Sequence, residues 1–278
     1  MKRIVEIILA GSTYTPRAGV TLVDAHVFAP GGHQAFTVSS GSGGGAYSFK
    51  AGVVVPQDGV PMQIGTEDTL VDTWFKADDE VLAKAGEVGP NSSTPGDGGS
   101  AAEGVGDIKF SGGDGGTRGT DTGSNVQRGG GQGGQAGPNG DGGDGGDGVA
   151  SQYGGGGGGA NGGDPGGSGA SAGAQGAGGD NRNSTGGGAP PGGDGSNGGG
   201  GAGGRRDPNT PPGEGSRDII FTDNSGREND GVSIGPRGGG GGSPAGVAGA
   251  TVDGHDGFIV LEYWLPSPGM MMIFEDSF

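Results

Sequence analysis

The sequence predicts a mainly irregular, otherwise all-β fold, in which a bundle of polyglycine II helices in stacked layers is capped by β-strands from both ends of the chain. Three observations carry this expectation. Glycine supplies 78 of 278 residues, against about 7% in ordinary globular proteins. In the stretch GGGQGGQAGPNGDGGDGGDG (129–148), Gly131, Gly134, Gly137, Gly140, Gly143 and Gly146 fall at every third position without a miss. Glycine-poor segments rich in β-branched and aromatic residues stand before and after the glycine-rich part, as strands require.

A flexible spacer has no need of a period, whereas a helix with three residues per turn does. In the polyproline II conformation the chain rises about 3.1 Å per residue and makes no internal hydrogen bonds, so its N–H and C=O groups point sideways. Glycine at every third position leaves at least one face of bare backbone. Residues 131–146 would make a rod of roughly 45–50 Å, and such rods can bond to one another side by side. The cost is high, because glycine loses more backbone entropy on ordering than any other residue. Each hydrogen bond returns only on the order of 0.5–1.5 kcal/mol. The bundle must therefore be dense and cooperative, with ordinary β-structure at its ends. Collagen fits less well, since a strict Gly-X-Y repeat with Pro near 15–20% would be required and here the phase breaks often.

In chain order, residues 1–88 read as a β cap. IVEIIL (4–9), GVTLVDAHVF (19–28), AYSFKAGVVV (46–55) and VPMQIGT (60–66) are strand-like and bounded by Pro and Gly. DTWF and EVLA read as a hairpin around the turn KADD, with helix as the alternative for 77–85. Residues 89–248 form the glycine-rich bundle. Unbroken rows recur at Gly192–Gly204, with Gly154–Gly169 interrupted only by Ala160, and a short row follows at Gly173, Gly176 and Gly179. Between rows lie segments richer in Pro, Asn, Asp, Arg and Ser, at 120–128, 180–185 and 205–212, which read as turns joining short rods. Residues 217–235 read as a hairpin or elaborated loop. Residues 249–268 supply a closing strand, GFIVLEYWL, and 269–278 an apolar tail.

Charge and composition exclude several classes. The formal net charge is −17, which opposes nucleic-acid binding, since tracking phosphates needs a basic surface. No apolar run approaches the length of a membrane span. The start MKRIVEIILAG resembles a signal peptide, but Glu6 interrupts the apolar run, which is short and lacks a following cleavage site; it reads as a first strand. With no cysteine there are no disulfides or thiolate metal ligands.

Chemical motifs are sparse. GGDGGDGV (142–149) fits one turn of the Ca²⁺-binding nonapeptide, but that architecture needs at least three stacked copies and the next residues do not repeat it. Asp141, Asp144 and Asp147 would line one ridge of a rod about 9 Å apart, too far for shared coordination of Ca²⁺ at about 2.3–2.6 Å. They read as a solvated acidic ridge. GVSIG (231–235) matches G-x-S-x-G around Ser233, but lacks the strand–helix context of a nucleophile elbow. No Gly-Lys dipeptide occurs, so there is no P-loop. His26, His33 and His255 show no metal-ligand spacing. Trp74 and Trp264 sit in strand segments and read as core. Asn91 and Asn183 open two glycosylation sequons. No catalytic, cofactor-binding or metal residue is singled out.

The ordered set of segments resembles the glycine-rich domains of bacteriophage tail-fibre and tail-tip proteins, including polyglycine II sandwich adhesins. YTPRAGVTLVDAHVFAPGG (14–32) is similar to the opening strand pair, and GSGGGAYSFKAGVVVPQDGVPMQIGT (41–66) to the second pair. DTWFKADDEVLAKAG (72–86) is close to a TWF…VLAxGG element, and GGGGGSPAGVAGATVDGHDGFIVLEYW (238–264) is like the closing strand. The likeness spans 14–264.

The resemblance implies a non-enzymatic virion protein of the phage tail, extracellular, whose partners are other tail proteins and a host surface receptor, either an outer-membrane protein or a glycan. The chain begins almost directly with the domain, without a trimeric shaft, which suggests a stand-alone protein docked on another tail component. The alternatives are a purely structural virion component, or a secreted ice-binding or Ca²⁺-binding protein. Recognition chemistry belongs in the turns between rods, at 120–128, 149–153, 180–185 and 205–212. Tyr153, Arg182, Arg205 and Arg206 are the candidate contacts, since Tyr and Arg dominate binding hot spots. Pro266 and Pro268 end the closing strand. Met270, Met271, Met272, Ile273, Phe274 and Phe278 make the tail a candidate docking peptide, the alternative being that it folds back over the β cap.

Overall fold

A computed structural model describes residues 2–32, 40–89, 93–120, 127–148, 157–166 and 256–265, together with two short strands at 219–220 and 233–234. The strands are β1 (Lys2–Ile8), β2 (Thr13–Tyr14), β3 (Leu22–Phe28), β4 (Tyr47–Val54), β5 (Val60–Gln63), β6 (Thr73–Phe75), β7 (Val81–Ala83), β8 (Ile108–Phe110), β9 (Gly119–Thr120), β10 (Gln127–Arg128), β11 (Ile219–Ile220), β12 (Ser233–Ile234) and β13 (Phe258–Leu265). No helix occurs among the described residues. The helical alternative for 77–85 is therefore corrected: Val81–Ala83 pair with Thr73–Phe75 as a hairpin. The side chains explain why. Val81 and Ala83 are fully buried against Phe75 and the first sheet, and that burial outweighs the helix propensity of Ala, Glu and Lys.

Two antiparallel sheets make the β part. One has five strands in the order β1-β13-β3-β4-β8, the other four in the order β2-β5-β6-β7. The first and last of these strands lie side by side: β1 pairs with β13 from Lys2↔Leu265 to Ile8↔Ile259. The closing strand thus locks the N-terminal segment into the sheet.

Alternation along β3 and β13 sets the two faces of the five-stranded sheet. Val23, Ala25, Val27, Ile259, Leu261 and Tyr263 point to one face and pack on Tyr14, Val60, Met62, Phe75, Val81 and Ala83 of the four-stranded sheet. Burying each large apolar side chain contributes roughly 1.5–3 kcal/mol. Ser48 ties the sheets by donating to the Leu82 carbonyl at 2.6 Å. The opposite face carries Phe28, Tyr47, Phe258 and Val260, and Ala136 of a glycine-rich segment packs there. Phe28 stacks on Phe258 with ring centres 4.2 Å apart.

The described glycine-rich segments run extended beside one another and bond at every third residue. Gly41 and Gly44 donate to the carbonyls of Gly116 and Gly113 at 2.7 and 2.9 Å. Gly113 and Gly116 donate to Gly134 and Gly131 at 3.0 and 2.8 Å. Gly131 and Gly134 donate in turn to Gly146 and Gly143 at 2.9 and 2.8 Å, which corrects the single rod expected over 131–146: the stretch turns back at 137–140, where Gly137 and Gly140 bridge, and its two halves bond to each other. A β-strand bonds to two neighbours in one plane. Segment 111–117 bonds to four: residues 41–44, 96–99, 131–134 and 142–148. Burial follows the same period, with Asp141, Asp144 and Asp147 exposed and Gly143 and Gly146 buried between them. Glycine is obligatory at the closest approaches: a Cβ on Gly44 would land on the Gly134 carbonyl oxygen.

The network crosses the expected boundary near residue 88 in both directions. Residues 40–46 and 84–87 belong to it, and β8 from the glycine-rich part completes the five-stranded sheet.

Candidate functional site

Tyr153, Arg182, Arg205 and Arg206 lie outside the described residues, as do Met270, Met271, Met272, Ile273, Phe274 and Phe278 of the tail, and His33 and His255. Of the expected recognition turns, the description reaches the base of one: β9 and β10 pair through Gln127↔Thr120 and Arg128↔Gly119, so the turn at 120–128 leaves and re-enters on adjacent strands. The segment expected as a hairpin at 217–235 contains the pairing of β11 with β12 through Ile219↔Ile234 and Ile220↔Ser233. Ser233 therefore sits on a paired strand, β12.

The acidic ridge is exposed to solvent, as expected, and it also carries hydrogen bonds. Asp141, Asp144 and Asp147 each accept a backbone N–H from the segment 30 positions earlier: Ser111 at 2.7 Å, Asp114 at 2.9 Å and Thr117 at 2.7 Å. Asp114 repeats the device one segment on, accepting from Gly98 at 2.7 Å. The carboxylates stay exposed, but each satisfies a backbone donor that the period-three network leaves over. Among the described residues no cluster of three potential metal ligands exists.

A groove of about 530 Å³ opens beside segments 84–88 and 97–100, lined by Asp72, Glu87, Asp97, Ser100 and Glu103 around Lys84. The Lys84 Nζ lies 2.7 Å from Asp72 Oδ2 and 4.0 Å from Glu103 Oε2. The hydrogen bond to Asp72 holds the ammonium above the ordinary lysine range, against the opposing effect of burial. Lys84 is thus a fixed cation and not an amine nucleophile. Asp72 also accepts from the Ala85 N–H at 2.9 Å, which pins the segment on which Lys84 stands. With four carboxylates facing one lysine, the groove is suited to cationic or hydroxyl-bearing groups.

A second polar group is buried on the sheet. His26 Nδ1 is 2.7 Å from the Tyr47 hydroxyl, and its Nε2 lies 3.7 Å from Glu262 Oε1. Arg3 donates to Glu262 from Nη2 at 2.6 Å and from Nε at 3.0 Å. Burial, reinforced by the Glu262 charge, pushes the Tyr47 phenol far above its ordinary pKa, so it stays protonated. His26 is thus a satisfied strand-face histidine, as its sequence context suggests. Glu262 is the residue that sequence reasoning missed. A lone carboxylate inside FIVLEYWL is the available signal, because a buried charge must be paired. Trp264 corrects another expectation: it is 50% exposed at the end of β13 instead of packed in the core. Trp74 is half-buried in β6.

No protein-family model matches the chain, and no curated protein sequence matches it.

Proposed function

We propose that this chain is a non-enzymatic structural protein of a bacteriophage tail tip or tail fibre, and that it contacts the host cell surface. One observation carries the reading: extended glycine-rich segments that bond at every third residue to as many as four neighbours. Within the same reading the segments are polyglycine II helices stacked in layers, because a three-residue turn sends successive donors in several directions around the rod. The order of strand pairs, glycine tracts and closing strand supports it through the family resemblance. Such a body suits a tail tip, being built largely from backbone hydrogen bonds between adjacent segments.

Layering requires glycine dihedrals near φ −75°, ψ +145° in an experimental density map of residues 129–136 and 141–148, the two segments on either side of the turn at 137–140. Dihedrals scattered away from those values remove it. Location is tested by immunogold labelling of purified virions with antibody against the chain. Gold at the tail tip or fibre is expected, and particles with unlabelled tails overturn the virion reading. Tyr153, Arg182, Arg205 and Arg206 are the proposed receptor contacts. Replacing each of the four turns by Gly-Ser of equal length should lower adsorption to host cells in at least one case. Unchanged adsorption with a folded protein leaves a structural component without receptor binding.

A further inference from the structure

At one end of the five-stranded sheet lies a line of exposed apolar side chains. Leu22 pairs with Val54 across β3 and β4. Glu262 pairs with Asp24, so the same antiparallel register places Trp264 in line with Leu22. Trp264, Leu22 and Val54 are 50%, 54% and 58% exposed, and they form one row across three adjacent strands. The row lies on the face that bears Glu262, His26 and Phe28, at the end opposite the Phe28–Phe258 stack where Ala136 packs. Ile108, also exposed, stands on this face opposite Phe49. Scattered exposed apolar residues are ordinary, whereas a contiguous row marks a covered or docking surface.

We propose that the row is the seat of the chain's own C-terminal segment, residues 269–278. Position, reach and chemistry converge on this occupant. The segment follows β13, whose last residue, Leu265, is the next residue after Trp264 and pairs with Lys2. The row spans two strand spacings, about 10 Å, while an extended chain covers about 3.3 Å per residue, so the thirteen residues after Leu265 reach across it with room for a turn at Pro266–Gly269. Met270, Met271, Met272, Ile273 and Phe274 are apolar, and methionine adapts to an irregular surface. The tail is then a strap over its own sheet, instead of a free peptide that docks on another tail protein.

The test uses Trp264 as its own reporter. In a Trp74→Phe background, Trp264 is the sole tryptophan. Removal of residues 269–278 should red-shift its emission and abolish its protection from acrylamide quenching. Identical emission and quenching with and without the tail, in a chain that keeps its β-type circular dichroism, overturn the proposal. If the shortened chain does not fold, the full-length protein decides: Val54→p-benzoylphenylalanine, irradiated and digested, should crosslink within one chain to a peptide from 269–278. A crosslink to another segment, a crosslink between isotopically distinguished chains, or none at all overturns it.

Discussion

Arg3 grips Glu262 with two nitrogens, Nη2 at 2.6 Å and Nε at 3.0 Å, across 259 positions of sequence. The pair joins the first strand to the last, and the Glu262 side chain is only 8% exposed. Its cation is thus the partner of a carboxylate with little water. Arg3→Ala should cost about 3 kcal/mol or more, because it leaves a buried charge uncompensated. Arg3→Met combined with Glu262→Gln should recover most of that loss. Urea midpoints of the three chains check this, and a single-variant loss below 1 kcal/mol would show that water replaces the arginine.

Glu6, on the other face of β1, gives a pH dependence. Burial raises its pKa, but hydrogen bonds from Tyr14 at 2.8 Å and Arg17 at 2.7 Å outweigh burial and hold the carboxyl below the ordinary value of 4.5. A depressed folded-state pKa means that the unfolded chain binds protons first, so the contribution is complete above pH 4.5 and is lost as pH falls through the lower folded value. The stability difference between the native chain and Glu6→Gln should therefore be greatest above that pH and shrink on acidification. A difference that grows with acid would reverse the sign and refute the assignment.

The strands were legible where residues alternate for long enough. IVEIIL, AYSFKAGVVV and GFIVLEYWL lie within one or two residues of β1, β4 and β13. β2, β8, β9 and β10 were not, since two or three residues carry no period. The every-third glycines showed that a row would bond sideways, but not to which row. Gly113 meets Gly134 and Asp144 meets Asp114 through lateral neighbours set by the turns. The same blindness hid the bonds these exposed aspartates make: one rod viewed alone places them on water, and the N–H they accept belongs to another segment. Trp264 was misread because apolar character says that a residue is worth burying, not that its end of the strand is covered.

Close approach at Gly44 and open space at Gly52 separate two reasons for glycine. The Gly44 backbone abuts Gly134, and an added Cβ would strike the carbonyl oxygen and carbon of that residue. Gly52 has φ +64° with nothing within 4 Å of a Cβ. Gly44→Ala should cost at least about 3 kcal/mol, because backbone on both sides cannot yield as side chains do. Gly52→Ala should cost about 1–2 kcal/mol, from the left-handed conformation alone. Equal losses in thermal or urea unfolding would mean that the glycine-rich segments pack loosely.

The aspartate ladder predicts a graded and metal-independent effect. Asp141, Asp144 and Asp147 each hold one backbone N–H of the segment beside them, so each deletion removes one ordinary hydrogen bond. Single alanine substitutions should lower Tm by about 2–4 °C, the size of one such bond in a domain this large. Asparagine, whose side-chain oxygen still accepts, should lose less. Because the sites act separately, the three alanine effects should sum in the triple variant. A chelator should leave Tm unchanged, since carboxylates already committed to backbone donors 30 positions away do not converge on a cation. A Tm that falls on adding chelator and returns with Ca²⁺ would show that these aspartates bind metal, and the ladder would then be the frame of an ion site.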